Sequence, residues 1–174
     1  MTTMPRVYVL DTGALLSTWT RKNPDSDFVT VPAVLNELHN RPSQRRAETL
    51  ISTGRLREEV PESLHVAKVK ETAHSTGDLH ALSDNDIQLL ALALSKKESG
   101  FTVIVVSGDL SLLNTASFMG LTVVDLGLRM TQQVTWGLRC PACGHTENRA
   151  GDERECPVCG TVMRRWAVKE RRMA

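Results

Sequence analysis

Two copies of one cysteine motif lie near the end of the chain and constrain its fold more than any other feature. The motifs are Cys140-Pro-Ala-Cys143-Gly and Cys156-Pro-Val-Cys159-Gly, and they use every cysteine of the chain. Two residues between thiolates let both sulfurs reach one ion from a tight turn, and the glycine after each motif permits left-handed backbone there. The spacing predicts a structural, tetrahedral zinc site with no open position.

Two redox pairs or two disulfides are the alternatives for these cysteines. A redox pair of this spacing normally begins a helix in a strand-helix-strand unit, a context that the flanking residues lack. A ribbon at residues 138–163 is too small to fold without metal, and His145 is expected to be a neighbour of the ion rather than a ligand. Four cysteines in one short module also favour a reducing compartment, so we predict a cytoplasmic location.

The longer part of the chain has the pattern of a parallel sheet flanked by helices. Residues 7–10, 103–106 and 121–124 are β-branched runs without polar alternation, as expected of strands that are covered on both faces. Helical patterns lie between them, one beginning at Pro32 and another running through Ile87 after Ser83 as N-cap. Strand, helix and strand in this order predict an α/β fold.

Boundaries are predicted from changes in this pattern. Residues 41–77 are expected to form two or three helices around a short strand at 56–60. The pattern weakens at 128–137, which we predict to be a linker between a body at 1–127 and the ribbon at 138–163. No stretch has the ~18 apolar residues of a membrane span, so no membrane association is expected.

The last residues, 164–174, are predicted to be a basic tail. Residues 1–128 hold 12 Lys and Arg against 15 Asp and Glu, whereas residues 129–174 hold 9 against 5. Basic side chains neutralise phosphates and an indole stacks on a base, so this end is a candidate RNA-binding segment. A solvated charged tail is the alternative. The candidate residues are Arg164, Arg165, Trp166, Lys169, Arg171 and Arg172.

Five carboxylates of the body are expected to meet at one edge of the sheet. Asp11 follows the first strand and Asp109 follows the 103–106 strand, which puts both at the carboxyl edge. Asp84 and Asp86 lie in the first turn of the helix through residue 87, and Glu37 lies within the Pro32 helix. Taken singly, each aspartate is also a good helix cap. Together they would repel one another unless Mg²⁺ or Mn²⁺ lay among them.

Four segments that carry these acids resemble, in order, the acidic motifs of PIN nucleases. The segment Asn114-Thr-Ala and the segment Trp136-Gly-Leu-Arg-Cys140 extend this likeness to the Nob-type endonucleases of archaea and eukaryotes. The resemblance spans nearly the whole chain and implies a PIN-like parallel sheet with a small C-terminal zinc ribbon. The four segments are VLDTGALL, VPAVLNEL, LSDNDIQLLALA and VVSGD.

The resemblance also implies roles for individual residues. Asp11, Glu37, Asp86 and Asp109 match the acids that bind catalytic Mg²⁺ or Mn²⁺ in this family, and Asp84 is an additional acid. Ser107 stands where many PIN domains have threonine, and it keeps the hydroxyl at the metal-binding site.

An implied activity and implied partners follow from the same resemblance. The family is understood to cut precursor small-subunit ribosomal RNA at the 3′ end of the mature RNA, and water attack would leave a 5′-phosphate and a 3′-hydroxyl. The expected partners are RNA and the pre-ribosomal small subunit, with a KH-domain assembly factor as a further candidate, and no DNA. A toxin-like PIN ribonuclease of other RNAs and a non-catalytic RNA-binding assembly factor are the alternatives.

Overall fold

A computed structural model describes residues 4–148 and 154–173. Its larger sheet consists of β1 (Arg6–Leu10), β2 (Phe28–Thr30), β3 (Leu56–Glu58), β4 (Thr102–Ser107) and β5 (Thr122–Asp125). All neighbours are parallel, in the order β3-β2-β1-β4-β5. The predicted parallel sheet is therefore confirmed.

Seven α-helices of the described chain connect and flank these strands. The connection from β2 to β3 ends in a long helix, Arg41–Ser52, and the connection from β3 to β4 ends in another, Asp84–Glu98. A 3₁₀ turn at Leu79–Ala81 joins the helix Asp84–Glu98 to the helix before it. The helices are α1 (Thr12–Leu16), α2 (Trp19–Lys22), α3 (Pro32–Asn36), α4 (Arg41–Ser52), α5 (Ser63–Thr76), α6 (Asp84–Glu98) and α7 (Leu110–Phe118). None of the described helices is long and apolar enough to cross a membrane.

The central strands are buried on both faces, which explains their continuous apolar sequence. Val7, Val9 and Val105 are fully buried, as are Leu89 and Leu90 of α6, which packs across β1 and β4. Because these strands are buried, the positions of their ends are fixed. The side chains that directly follow them are therefore held at the carboxyl edge of the sheet.

Two helix ends matter for this edge. Ser83 and Asp86 form a reciprocal capping box that starts α6. Pro32 begins α3 as predicted, but the helix ends at Asn36, so Glu37 is its C-cap and does not lie within the helix as expected.

A second, antiparallel sheet follows the body. It consists of β6 (Gln132–Arg139), β7 (Thr146–Glu147) and β8 (Arg164–Arg172), in the order β7-β6-β8. This corrects the secondary structure expected for the linker at 128–137 and for the tail at 164–174, since most of both segments is paired strand. Neither strand is fully buried along its length, so neither has the apolar run of the central strands.

Side chains of the body hold this second sheet in place. The Asn114 side-chain amide donates a 2.8 Å hydrogen bond to the Val134 carbonyl, and its oxygen accepts one of 2.8 Å from the Val134 N–H. A neighbouring strand would bond to Val134 in the same way. Asp78, which is fully buried, accepts hydrogen bonds from Asn114 (2.6 Å) and from Arg165 of β8 (2.8 Å). The Arg165 guanidinium stacks 4.5 Å from the centre of the Trp136 ring. The ribbon is thus fixed to the body by a buried polar network.

Candidate active site and zinc centre

Asp11 lies at the carboxyl edge of the larger sheet, where β1 ends and α1 begins. Its Oδ1 accepts a 2.6 Å hydrogen bond from the Thr12 N–H, and its Oδ2 accepts one of 2.6 Å from the Ser107 hydroxyl. Ser107 ends β4, which pairs with β1 in the register Leu10 to Val106. Neighbouring parallel strands therefore bring Asp11 and Ser107 together at the expected edge.

The same hydroxyl joins Asp11 to the turn that carries Asp109. Ser107 is fully buried, and its oxygen accepts a 3.0 Å hydrogen bond from the Asp109 N–H. Asp109 caps α7, because its Oδ1 accepts from the N–H groups of Ser111 (2.7 Å) and Leu112 (3.1 Å). Its second carboxylate oxygen has no protein partner in the described chain, so it is available for a ligand.

Glu37 is held against the starts of two helices by two neighbouring side chains. The Thr12 hydroxyl donates to its Oε2, and the Asn85 amide donates 2.5 Å to its Oε1. Both donors come from residues directly next to acids of the predicted site. Sequence reasoning missed these two positioning residues, although both lie inside the segments that resemble PIN motifs.

The two acids of α6 differ in their contacts. Asp86 accepts hydrogen bonds from the Ser83 N–H (2.8 Å) and hydroxyl (2.7 Å), so it has the predicted cap geometry and still lies close enough to affect the charge on Asp11. Asp84 is exposed in the first turn and makes no side-chain hydrogen bond or ion pair within the described residues. The structure therefore links Asp86, but not Asp84, to the rest of the cluster.

Electrostatics at this edge oppose the ionised form of Asp11. Burial is the largest cause that raises the pKa of this carboxyl; hydrogen bonds from Ser107 and Thr12 lower it, and the charges of Asp86 and Glu37 raise it again. The direction of the net shift is upward. Negative charge from three parts of the chain is thus concentrated around one half-buried carboxylate.

The donor chemistry of this cluster fits a hard divalent cation. Carboxylate oxygens are the preferred protein ligands of Mg²⁺ and Mn²⁺, and a cation would offset the repulsion that raises the pKa of Asp11. Across residues 4–148 and 154–173, however, no three carboxylates have oxygens within 4.8 Å of one another. A cation here would therefore be bound by a few carboxylates and by water, as is usual for Mg²⁺.

The four cysteines form the metal cluster that their spacing predicts. Their Sγ atoms all lie within 4.8 Å of one another, with 3.5 Å between Cys140 and Cys159 and 3.5 Å between Cys143 and Cys156. A tetrahedron with Zn–S bonds of about 2.3 Å requires S–S separations of roughly 3.8 Å, so the cluster fits zinc. Hydrogen bonds with Thr161 lower the pKa of the Cys159 thiol to about 6.

The small core beneath this cluster explains why a metal is needed. Besides Cys140 and Cys156, only Leu138 and Met163 are buried in it among the described residues. Gly137 is required in β6, because a Cβ there would lie 2.2 Å from the Glu147 carbonyl oxygen of β7. So few buried groups cannot offset the conformational entropy of an ordered ribbon without the zinc.

The register of β6 and β8 sorts the candidate RNA-binding residues onto two faces. Arg164, Trp166, Lys169 and Arg171 pair with successive residues of one face of β6, which also carries Arg139. We call these five residues the basic face. Arg165 and Arg172 pair with the opposite face, and Arg165 is engaged by Asp78. Their proximity to a bound RNA remains a prediction.

The ion pair of Arg165 gives a sharp prediction. Replacing Arg165 by alanine leaves Asp78 buried without its cation, so we expect a loss of about 3 kcal/mol in the free energy of unfolding. Burial raises the pKa of Asp78, and hydrogen bonds from Asn114 and Thr76 and the ion pair with Arg165 oppose that rise. The pKa of Asp78 in the folded variant is therefore higher still, so the variant's deficit in the free energy of unfolding should grow as the pH rises above the raised pKa of Asp78 in wild type.

Denaturant unfolding in acidic buffer and in mildly alkaline buffer measures this effect. Arg164→Ala is the matched control, because Arg164 is the exposed neighbour of Arg165 in β8 and should change stability by less than about 0.5 kcal/mol. Equal stability of the two variants would contradict a structural role for the Asp78 to Arg165 pair.

Comparison with known proteins identifies the family of the chain. Residues 8–95 match the family described as PIN domain of ribonuclease. The chain is 35% identical to "Endoribonuclease Nob1" of Archaeoglobus fulgidus, over 89% of this chain and 87% of that protein. It is 38% identical to "Ribonuclease VapC3" of Aeropyrum pernix, over 70% and 86%. It is also 36% identical to "20S-pre-rRNA D-site endonuclease nob1" of Schizosaccharomyces pombe, over 48% and 21%.

The first of these likenesses extends beyond the body of the chain. The alignment with the Archaeoglobus protein runs over 156 residues, more than the body at 1–127 contains, so it continues into the ribbon. The PIN sheet, the acidic edge and the four-cysteine cluster are all on this one chain. "Ribonuclease VapC1" of Thermoplasma acidophilum is 29% identical over 96% of this chain and 81% of that protein. The chain therefore belongs to the PIN-domain endoribonucleases, and over most of its length it is similar to "Endoribonuclease Nob1" at 35% identity.

Proposed function

We propose that this protein is a metal-dependent endoribonuclease that cuts precursor small-subunit ribosomal RNA at the 3′ end of the mature RNA. The observation that carries the proposal is the half-buried Asp11, fixed by Ser107 and Thr12 and surrounded by the charges of Glu37 and Asp86. The name of the fission-yeast relative, a 20S pre-rRNA D-site endonuclease, supports the substrate.

Each residue of the edge has a defined part in this proposal. The chemistry that Mg²⁺ or Mn²⁺ would supply here is activation of a water molecule and neutralisation of charge on the phosphate. Asp11, Glu37, Asp86 and Asp109 would bind the ion directly or through water, while Ser107, Thr12 and Asn85 orient two of these carboxylates. Water attack on phosphorus would leave a 5′-phosphate and a 3′-hydroxyl.

The RNA strand would reach this edge along the second sheet. A groove of about 260 Å³ lies between α7 and β6, lined by Leu110, Ser111 and Trp136 among others, and Leu110 and Ser111 directly follow Asp109. The Arg129 guanidinium closes one side by donating 2.8 Å to the Gly108 carbonyl. The basic face would hold phosphates farther along the RNA strand.

Selection of one cleavage site requires more than this edge, because carboxylates and metal recognise no sequence. We propose that the ribbon, the basic face and the assembling small subunit supply it, and a KH-domain assembly factor is a candidate partner in that particle. The proposed compartment is the cytoplasm, where the four thiolates remain reduced. The proposed domain boundary lies between β5 and β6.

The decisive experiment is cleavage of a precursor RNA that spans the 3′ end of the mature small-subunit RNA. Zinc-loaded protein with Mn²⁺ is expected to cut at that end, and the Asp11→Asn variant is expected not to cut. Cleavage of transfer or messenger RNA in preference to this precursor would favour a toxin-like ribonuclease, a candidate that the 38% identity with the Aeropyrum protein keeps in view.

A further inference from the structure

A second cavity, which shares no lining residue with the carboxylate edge, is lined by arginines. It has a volume of about 380 Å³ and lies between α2, α4 and the residue before β3. Four of its lining side chains are Arg21, Arg45, Arg46 and Arg55, and no acidic residue lines it. A cavity of this composition has a strongly positive interior, which attracts anions.

Three polar atoms around this cavity have no hydrogen-bond partner in the described chain. They are the hydroxyl of Thr20 and the Nε atoms of Arg46 and Arg55. Thr20 is only 2% exposed, and it lines the cavity. A buried polar group without a partner is costly and rare, and the cost at these three atoms would be relieved if a bound anion drew their side chains toward the cavity.

The two inner arginines are fixed in place by their other nitrogens. Arg46 donates 2.7 Å to the Leu15 carbonyl at the end of α1. Arg55 donates 3.0 Å to the Asn23 carbonyl and lies 5.3 Å from the centre of the Phe28 ring. These contacts hold both guanidinium groups at the wall of the cavity.

The two outer arginines complete the cavity without neutralising it. Arg21 and Arg45 are exposed, and neither guanidinium makes a hydrogen bond or an ion pair within residues 4–148 and 154–173. Four guanidinium groups in one place repel each other unless an anion with several acceptor oxygens joins them. A phosphate group has the charge and the oxygens for this role.

We infer that this cavity binds a phosphate group, and that the phosphate comes from the RNA strand held at the carboxylate edge. The second part rests on the proposed function. Asn40, the N-cap of α4, follows Glu37 of that edge by three residues, and Arg45 lies five residues farther, about 7 Å along the helix axis. A strand that leaves the edge along α4 reaches the cavity within a short distance.

Inorganic phosphate tests the site without any RNA. At matched ionic strength, phosphate in hundredfold excess over its dissociation constant should raise the melting temperature of the zinc-loaded protein by about 5 °C relative to chloride. Arg45→Ala and Thr20→Val should lose most of this shift, and Thr20→Val should be no less stable than wild type in chloride. Arg41→Ala, an exposed arginine of the same helix outside the cavity, is the control and should keep the shift.

RNA binding then identifies the source of the phosphate. In an Asp11→Asn background, which prevents cleavage, Arg45→Ala should reduce the slope of log affinity against log salt for a single-stranded RNA by about 1, and Arg41→Ala should not. A phosphate shift with an unchanged slope would overturn the RNA part and leave a site for free phosphate. No phosphate shift at all would overturn the inference, whatever RNA the catalytic edge cuts, because this test involves no cleavage.

Discussion

Replacing Asp11 by asparagine is expected to reduce RNA cleavage by at least about a thousandfold. Asp11 is the carboxylate on which the charges of Glu37 and Asp86 converge, and asparagine keeps its shape while it removes the charge that binds a cation. Stabilisation of phosphoryl chemistry by a metal is worth several kcal/mol, and each 1.36 kcal/mol is a factor of ten in rate. Single-turnover cleavage of the precursor RNA measures the loss.

The same variant should be more resistant to heat. The pKa of Asp11 is raised in the folded protein, mainly by burial, so ionisation of this carboxyl destabilises the fold. This cost is absent below the unfolded-state pKa, where the carboxyl is protonated in both states, and it is fully present above the raised folded-state pKa. Asp11→Asn should therefore have the higher melting temperature at pH 7, and the difference should vanish as the pH falls below about 4.

Asp84→Asn is the matched control for this variant. Asp84 is exposed, and within the described chain its carboxylate has no hydrogen bond or ion pair. We expect Asp84→Asn to keep cleavage within a few-fold of wild type and to leave the melting temperature unchanged. If Asp11→Asn retained metal-dependent cleavage, the assignment of Asp11 as a metal-binding residue would be wrong. If it were less stable than wild type at pH 7 in buffer without divalent cations, the electrostatic cost assigned to Asp11 would be wrong.

Replacing Cys156 by serine is expected to abolish zinc binding and unfold the ribbon. Structural zinc sites of four ligands contribute about 10–16 kcal/mol of apparent binding free energy, and the ribbon has almost no core with which to compensate. The body should survive, because its large hydrophobic core is separate from the ribbon cluster. Metal analysis should give no bound zinc, and hydrogen exchange should lose protection at β7 but not at β1 or β4.

His145→Ala is the control for the cysteine variant. His145 lies beside the cluster and contacts Glu147 at 3.7 Å, but its side chain is not among the sulfur ligands. This variant should bind zinc with unchanged stoichiometry. Loss of zinc from His145→Ala, or a folded ribbon in Cys156→Ser without metal, would contradict a four-cysteine structural site.

The sequence predicts those parts of the fold whose physical cause is local. β1, β4 and β5 were predicted from continuous β-branched runs, and α6 from its period and its capping box. β2 was not predicted, because its three residues show no period and run directly into Val31 and the Pro32 helix. β3 is equally short, and it was predicted only as part of a broader segment at 56–60. β6 was missed although Val134, Trp136 and Leu138 alternate with small or polar residues, a pattern that could have revealed the strand.

β8 and its network depend on contacts that no local pattern encodes. A bulge in the pairing with β6 breaks the alternation of β8, and charged residues dominate its sequence. Asp78 was not predicted to have any role, and Arg165 was predicted to contact phosphate, because only the tertiary structure brings the two together. The four acids were predicted from the family resemblance, whereas Asn85, which orients Glu37, was not.

The most direct measurement is a calorimetric titration of the zinc-loaded protein with Mn²⁺, compared between wild type, Asp11→Asn and Asp84→Asn. Wild type and Asp84→Asn should bind Mn²⁺ with the same affinity, and Asp11→Asn should bind at least tenfold more weakly, because it lacks a ligand charge at the carboxylate edge. Equal Mn²⁺ affinity in wild type and Asp11→Asn would mean that this edge does not hold the catalytic cation.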